Sequence, residues 1–239
     1  MEKPIYFLWE PKYEGAAPAY YKPSDFPYVS LLEQNWQIIK EEMLQRESLA
    51  LKSPTYNPNQ TPGADKWKMV IFYNYLWKKK ANCKKYPKTY QLLQQIDGLT
   101  FAAFNLLEPH ADIKPHYGDT NTTIRCHLGI EIPAPLPECG LEVNGEQRSW
   151  QNGKVLLFSD AHYHRAWNYT NHERYVFVVD IIRPEYYDQR KWICSGVLSA
   201  LTLKTLLSRL PWLKLMPRFI VTVLHFAIRC IWRIKINWS

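Results

Sequence analysis

Apolar residues recur along this chain with two different periods, and the change of period organises it. Leu32, Trp36, Ile39, Met43 and Leu44 follow helical spacing through a stretch free of Gly and Pro. This predicts an amphipathic helix capped near Ser30 and reaching about Gln45, with one face laid on a sheet. Aromatic and β-branched residues fill 67–76 and suit a strand, whereas 86–96, opened by Pro87 and followed by Gly98, suits a short helix. Pro54, Pro58, Pro62 and Gly63 make 52–66 a loop, and the Pro- and Tyr-rich first 30 residues read as an extended arm. From Leu99 to Ile182 the period drops to two: 100–107, 122–132, 141–143, 154–158 and 175–182 are candidate strands separated by turns. No connection among them has room for a crossover helix. A mainly β fold follows, an antiparallel barrel or double-sheet jelly roll.

Three regions result: an N-terminal arm and scaffold helices over 1–98, a jelly-roll core over 99–188, and an apolar, basic helical extension over 189–239. One core is the expectation for 239 residues, and aromatics at 15% exclude a disordered chain. The net charge of +8 suggests nucleic acid until its location is considered. After Asp188 there are nine basic residues and no acidic one, so residues 1–188 carry about −1. The body therefore has no basic excess, and nucleic acid is not an expected partner. Five cysteines at unrelated spacings point to neither a disulfide framework nor a zinc site. With Glu2 and Glu10 near the start and no signal-like apolar run, a cytoplasmic, reducing location is expected.

Alternation puts chemistry on particular faces. In 122–132, Ile124, Cys126, Leu128 and Ile130 share one face and Arg125 and His127 the other. Arg174, Val176 and Val178 likewise share a face that Tyr175, Phe177 and Val179 do not. An arginine turned into a small barrel is costly unless paired, and an anionic ligand would pair it. His116 and His164, 48 residues apart, follow turn-like sequence and complete a set of polar candidates.

Three segments carry a wider signal: PHYGDTNTTIRCHLGIEIP (residues 115–133), WQNGKVLLFSDAHYHRAWN (150–168) and RYVFVVDIIRPE (174–185). In order and spacing they resemble the aspartyl/asparaginyl β-hydroxylase family of 2-oxoglutarate oxygenases, with a weaker likeness extending back to Phe26. The resemblance implies a double-stranded β-helix (cupin-like jelly roll), with iron(II), 2-oxoglutarate and dioxygen as cofactor and co-substrates. It makes His116 and His164 the iron ligands. It assigns Arg174 to the far carboxylate of 2-oxoglutarate and Arg125 and His127 to the near one, with Asn105 where relatives place a serine. Gly118 stands at the acid position of the usual His-x-Asp/Glu triad, so water or the adjacent Asp119 would complete the shell. Asp160 and His162 are expected to support His164, and Trp150, Gly153, Trp167 and Asn168 to serve turns and packing.

The implied reaction is hydroxylation of an unactivated carbon. The β-carbon of an Asp or Asn residue or of an amino-acid derivative is the first expectation; the acyl chain of a lipid of the lipid A type is an alternative. A catalytically inactive jelly-roll binding module is the reading from another class. The extension lacks any uncharged run long enough to cross a bilayer, and its mix of apolar residues, Trp and cations suits a peripheral position on an anionic membrane surface, or packing on the core.

Overall fold

The computed structural model describes residues 3–4, 13–44 and 66–238. The expected loop at 52–66, apart from Lys66, and much of the N-terminal arm lie outside these residues. Eleven described strands form two antiparallel sheets. The larger is ordered β1 (Tyr20–Tyr21), β9 (Val155–Phe158), β6 (Thr123–Glu131), β11 (Arg174–Ile182), β4 (Leu99–Leu107), β2 (Trp67–Asn74) and β3 (Trp77–Lys78). The smaller is β5 (Ala111–His116), β10 (His164–Asn168), β7 (Cys139–Val143) and β8 (Glu146–Arg148). The two sheets face each other as a double-stranded β-helix, the fold expected.

The large sheet is apolar on both faces, for different reasons. Its outer face carries Ala102, Phe104, Cys126, Leu128, Phe177 and Val179, which pack under Leu32, Ile39 and Met43 of the N-terminal helices. Its inner face carries Phe101, Ala103, Leu107, Val176 and Val178, which meet Ile113, Leu141 and Val143 of the small sheet. Strand alternation thus divides β6 and β11 as their sequences predicted.

The differences from expectation have local causes. The N-terminal helix is two, α1 (Pro27–Gln34) and α2 (Trp36–Leu44). Pro27 suits a first-turn position and starts α1 three residues ahead of Ser30. Asn35 breaks the pair, its side-chain amide donating to the Leu31 carbonyl and its backbone N–H to that of Leu32. The helix expected over 86–96 is α4 (Pro87–Leu93), preceded by an unforeseen α3 (Lys80–Lys85). Strand β2 stops at Asn74 because Tyr75 and Leu76 take φ of 48° and 67° to turn the chain. Strands β5 and β10 had no legible pattern: Pro115 and the polar HRAWN stretch hide them, and their pairing is wholly long-range.

After a 3₁₀ turn (Pro184–Gln189), α5 (Arg190–Arg209) and α6 (Arg218–Asn237) form a helical pair joined by a second 3₁₀ turn (Pro211–Leu215). Cys194, Val197 and Leu198 of α5 and Ile236 of α6 pack on Tyr75, with Leu76 and Trp77 beside them. Arg229 stacks 3.5 Å over the Trp192 ring, and the Ser199 hydroxyl donates to the His225 carbonyl. No described helix is long and apolar enough to cross a membrane.

Candidate active site

His116 ends β5 and His164 begins β10, and the two are register partners across that ladder. Their ring centroids lie 4.3 Å apart. Each ring is oriented by its own chain: Nδ1 of His116 is 2.8 Å from the Lys114 carbonyl oxygen, and Nδ1 of His164 is 2.8 Å from that of His162. A carbonyl can only accept, so each Nδ1 carries the proton. Burial holds both imidazoles below the ordinary histidine value, so they are neutral and each Nε2 presents a bare lone pair. Two neighbouring imidazoles, each fixed through its Nδ1–H, leave Nε2 atoms of the kind that can hold a metal ion. Among the described residues no third His, Cys, Asp or Glu joins them in a cluster able to hold a metal.

The pair opens into a cavity of about 830 Å³ between the sheets, which Arg125, His127, Asn105 and Arg174 also line. Arg174 is 1% exposed, and its Nε is buried without a hydrogen-bond partner. Nη2 donates to Asn105 Oδ1 at 3.1 Å, and the guanidinium sits 4.8 Å over the Trp150 ring. Burial pushes its pKa down to about 10, with no carboxylate among the described residues opposing the loss of water. Asn105 Oδ1 also accepts from Trp67 Nε1 at 3.0 Å, which turns the amide nitrogen away from both donors. His127 is neutral, because burial lowers its pKa well below the ordinary value. Trp150 Nε1 donates to its Nδ1 at 3.2 Å. Its proton therefore sits on Nε2, ready to donate.

Arg125 enters the same cavity already engaged. Nε and Nη2 donate to the two Asp180 oxygens at 2.8 and 2.6 Å, and Nη1 lies 3.0 Å from Asp160 Oδ2. Asp160 explains why residue 118 is glycine: a Cβ there would lie 2.4 Å from Asp160 Oδ2, and the Gly118 N–H donates to the Asp160 backbone carbonyl. The space an acid at 118 would need is taken by another carboxylate. Burial raises that carboxyl to about 7, with Arg125 opposing and Asp180 adding to the rise. Asp119 accepts from the Tyr75 hydroxyl at 2.7 Å, and His162 Nε2 lies 2.6 Å from the Ala17 carbonyl, on the N-terminal segment.

The sequence's polar candidates thus converge on one cavity, and further residues join them. Trp150 was expected to serve packing, yet it orients His127 and underlies Arg174. Helix α5 contributes Val197, Leu198, Leu201, Lys204, Thr205 and Ser208 to the wall. No motif marks either role. Asn168, by contrast, fastens a turn as expected, its amide donating to the carbonyls of Leu107, Glu108 and His172. Trp167 donates to the Pro137 carbonyl, and Gly153 takes a φ of +71° against the Trp36 ring.

Residues 33–184 match the family model for aspartyl/asparaginyl beta-hydroxylase, well over half of the chain. The chain belongs to this family. Among family relatives, it is 33% identical over 175 residues to the ornithine lipid ester-linked acyl 2-hydroxylase of Rhizobium tropici, covering 70% of this chain and 61% of that one. To the aspartyl/asparaginyl beta-hydroxylase of Mus musculus it is 30% identical over 185 residues, covering 73% and 24% respectively. The chain thus spans less than two thirds of the length of either relative. Among solved structures, a prolyl-4-hydroxylase from Pseudomonas putida superposes with a TM-score of 0.41 at 17% identity, over 70% of this chain and 91% of that one. Membership makes the chain a hydroxylase-family protein on a jelly-roll frame.

Proposed function

We propose that this protein is an iron(II)- and 2-oxoglutarate-dependent oxygenase that hydroxylates an unactivated carbon. The observation that carries the proposal is Arg174, a buried cation with no carboxylate partner among the described residues, in the same cavity as two neutral histidines whose Nε2 lone pairs are free of a proton. A buried charge of this kind calls for an anion. A guanidinium suits a carboxylate in a bidentate fork, and Asn105 can add an amide donor.

His116 and His164 would hold the iron, which when bound would supply the activation of dioxygen, with 2-oxoglutarate giving up two electrons as it is decarboxylated to succinate. The chain's own residues bind and orient. Arg174 and Asn105 anchor the carboxylate far from the metal, and the Nε2–H of His127 donates to the near one. Because its three guanidinium nitrogens are committed to Asp160 and Asp180, Arg125 acts here as a fixed positive strut. Its charge still favours an anion in the cavity and opposes protonation of the histidines. Because the Asp160 carboxylate fills the space a side chain at Gly118 would need, water would complete the metal's ligand set.

For the substrate, the β-carbon of an Asp or Asn residue or of an amino-acid derivative is the first reading. A lipid acyl chain is the second, favoured by the apolar wall that Val197, Leu198 and Leu201 of α5 give the cavity. Peripheral attachment to an anionic membrane on the cytoplasmic side belongs to the same proposal. The test is incubation with iron(II), 2-oxoglutarate and each substrate class. Succinate release with a mass gain of one oxygen atom is expected from one class. His116→Ala and His164→Ala should each abolish iron retention. Absence of succinate with every substrate, or iron retained by both variants, would refute the oxygenase reading and leave the binding-module reading.

A further inference from the structure

Helix α5 faces two ways. Along its buried side Val197, Leu198 and Leu201 close the cavity that holds His116 and Arg174; near its C-terminal end the cavity lining passes to exposed residues, Lys204, Thr205 and Ser208. The cavity therefore reaches solvent at that end of the helix. Two residues beyond Ser208 an apolar surface begins. Leu210, Trp212 and Leu215 of the connecting turn are 40, 54 and 87% exposed, and Phe219, Ile220 and Val223 of the first turns of α6 are 69, 36 and 65% exposed. An apolar surface this continuous is not left to water without a partner. Every charged residue from 190 onward is a cation, with Lys204, Arg209 and Arg218 exposed around this tip.

We propose that the tip of the helical pair, residues 209–223, docks on an anionic lipid bilayer, and that the substrate is an anionic membrane amphiphile drawn into the cavity past Lys204, Thr205 and Ser208. The second half of the statement rests on the oxygenase reading above in its lipid form; the first does not. Trp and aliphatic side chains enter the headgroup boundary while the cations meet anionic headgroups, which is the composition of an interfacial element. The absence of acids removes the repulsion that would otherwise limit contact. A peptide or a second copy of this chain would use the apolar surface without needing a uniformly positive rim, and the body of a second copy, at about −1, offers little complementary charge. Lys204, exposed at the cavity's lip, meets the anionic group of the entering molecule. The apolar wall of α5 receives its chain.

The experiment uses the full chain and flotation with two kinds of vesicle, phosphatidylcholine alone and phosphatidylcholine with about 30% phosphatidylglycerol. Binding to the anionic vesicles only, weakened by salt, is expected. The double variant Trp212→Glu, Leu215→Glu should abolish it, and Arg209→Gln or Arg218→Gln should each weaken it roughly fivefold. All four side chains are exposed or lie in the solvent-facing turn, so thermal melting should match wild type. Equal binding to both vesicle types, no binding, or a wild-type dimer that the double variant converts to monomer would each overturn the docking proposal. Anionic vesicles should also stimulate succinate release by wild type and not by the double variant. Loss of that stimulation in wild type, while 2-oxoglutarate still raises the melting temperature, would overturn the entry route alone. Loss of both effects would indict the oxygenase reading, with flotation still deciding the docking surface.

Discussion

Replacing Arg174 by methionine should leave the fold as stable as before, or more so, while removing co-substrate binding. The guanidinium is 1% exposed, and its burial lowers the pKa from 12.5 to about 10. At about 1.4 kcal/mol per pH unit, the charged form costs the folded state roughly 3 kcal/mol. Because the folded value is the lower one, that cost is present at all pH values below about 10 and is relieved only above it. Methionine removes the charge and keeps most of the volume, but loses the Asn105 hydrogen bond and the contact with Trp150, together about 1 to 2 kcal/mol. The balance is a variant roughly 1 to 2 kcal/mol more stable. For a chain of this size that is a melting temperature higher by about 2 to 8 °C. Wild type with 2-oxoglutarate at about one hundred times its Kd, and manganese(II) in place of iron(II), should gain about 2.7 kcal/mol. The variant should gain almost nothing. Thermal melts of both proteins with and without 2-oxoglutarate make the comparison. A variant destabilised by more than about 2 kcal/mol, or one that keeps the full 2-oxoglutarate shift, would refute the assignment of Arg174 as an unpaired cation awaiting a carboxylate.

Other consequences can be checked separately. Gly118→Ala should lose about 1 to 3 kcal/mol by driving a Cβ into the Asp160 carboxylate, and Gly118→Asp should lose at least as much without tighter metal binding, read by urea unfolding and metal titration. Trp150→Phe keeps a ring under Arg174 but removes the N–H that fixes the His127 tautomer; KM for 2-oxoglutarate should rise about tenfold with kcat little changed, as steady-state kinetics would show. Burial holds His116, His127 and His164 below 6.5. Unfolding therefore takes up protons as pH falls through 6.5, and each ring removes stability at up to roughly 1.4 kcal/mol per pH unit until its folded value is passed. Asp160, raised to about 7 from 3.8, acts in the opposite sense between those values. The three rings outweigh it, so urea unfolding of the metal-free protein should show stability falling from pH 6.5 to about 5; a flat or rising profile would contradict neutral buried imidazoles.

How much of this was legible beforehand can be judged residue by residue. The division of β6 and β11 into a helix-facing apolar side and a cavity-facing side with Arg125, His127 and Arg174 was readable from alternation alone, because successive side chains on a strand must point to opposite faces. The N-terminal helices were readable from their period, though not the break at Asn35, which rests on one side-chain hydrogen bond. The motifs around His116 and His164 announced the family and singled out the two histidines, but not the strands that hold them. Those strands exist through pairing between residues 48 positions apart.

Other features were decided by tertiary structure only. Asp160 fills the place of a Gly118 side chain, Asp180 and Asp160 capture Arg125, Trp150 bridges two anchors, and α5 closes the cavity. Covalent spacing determines which way a side chain faces along its own element. What stands across from it depends on how distant elements pack, and the partners of a buried charge, the tautomer of a ring and the wall of a cavity are all properties of that packing.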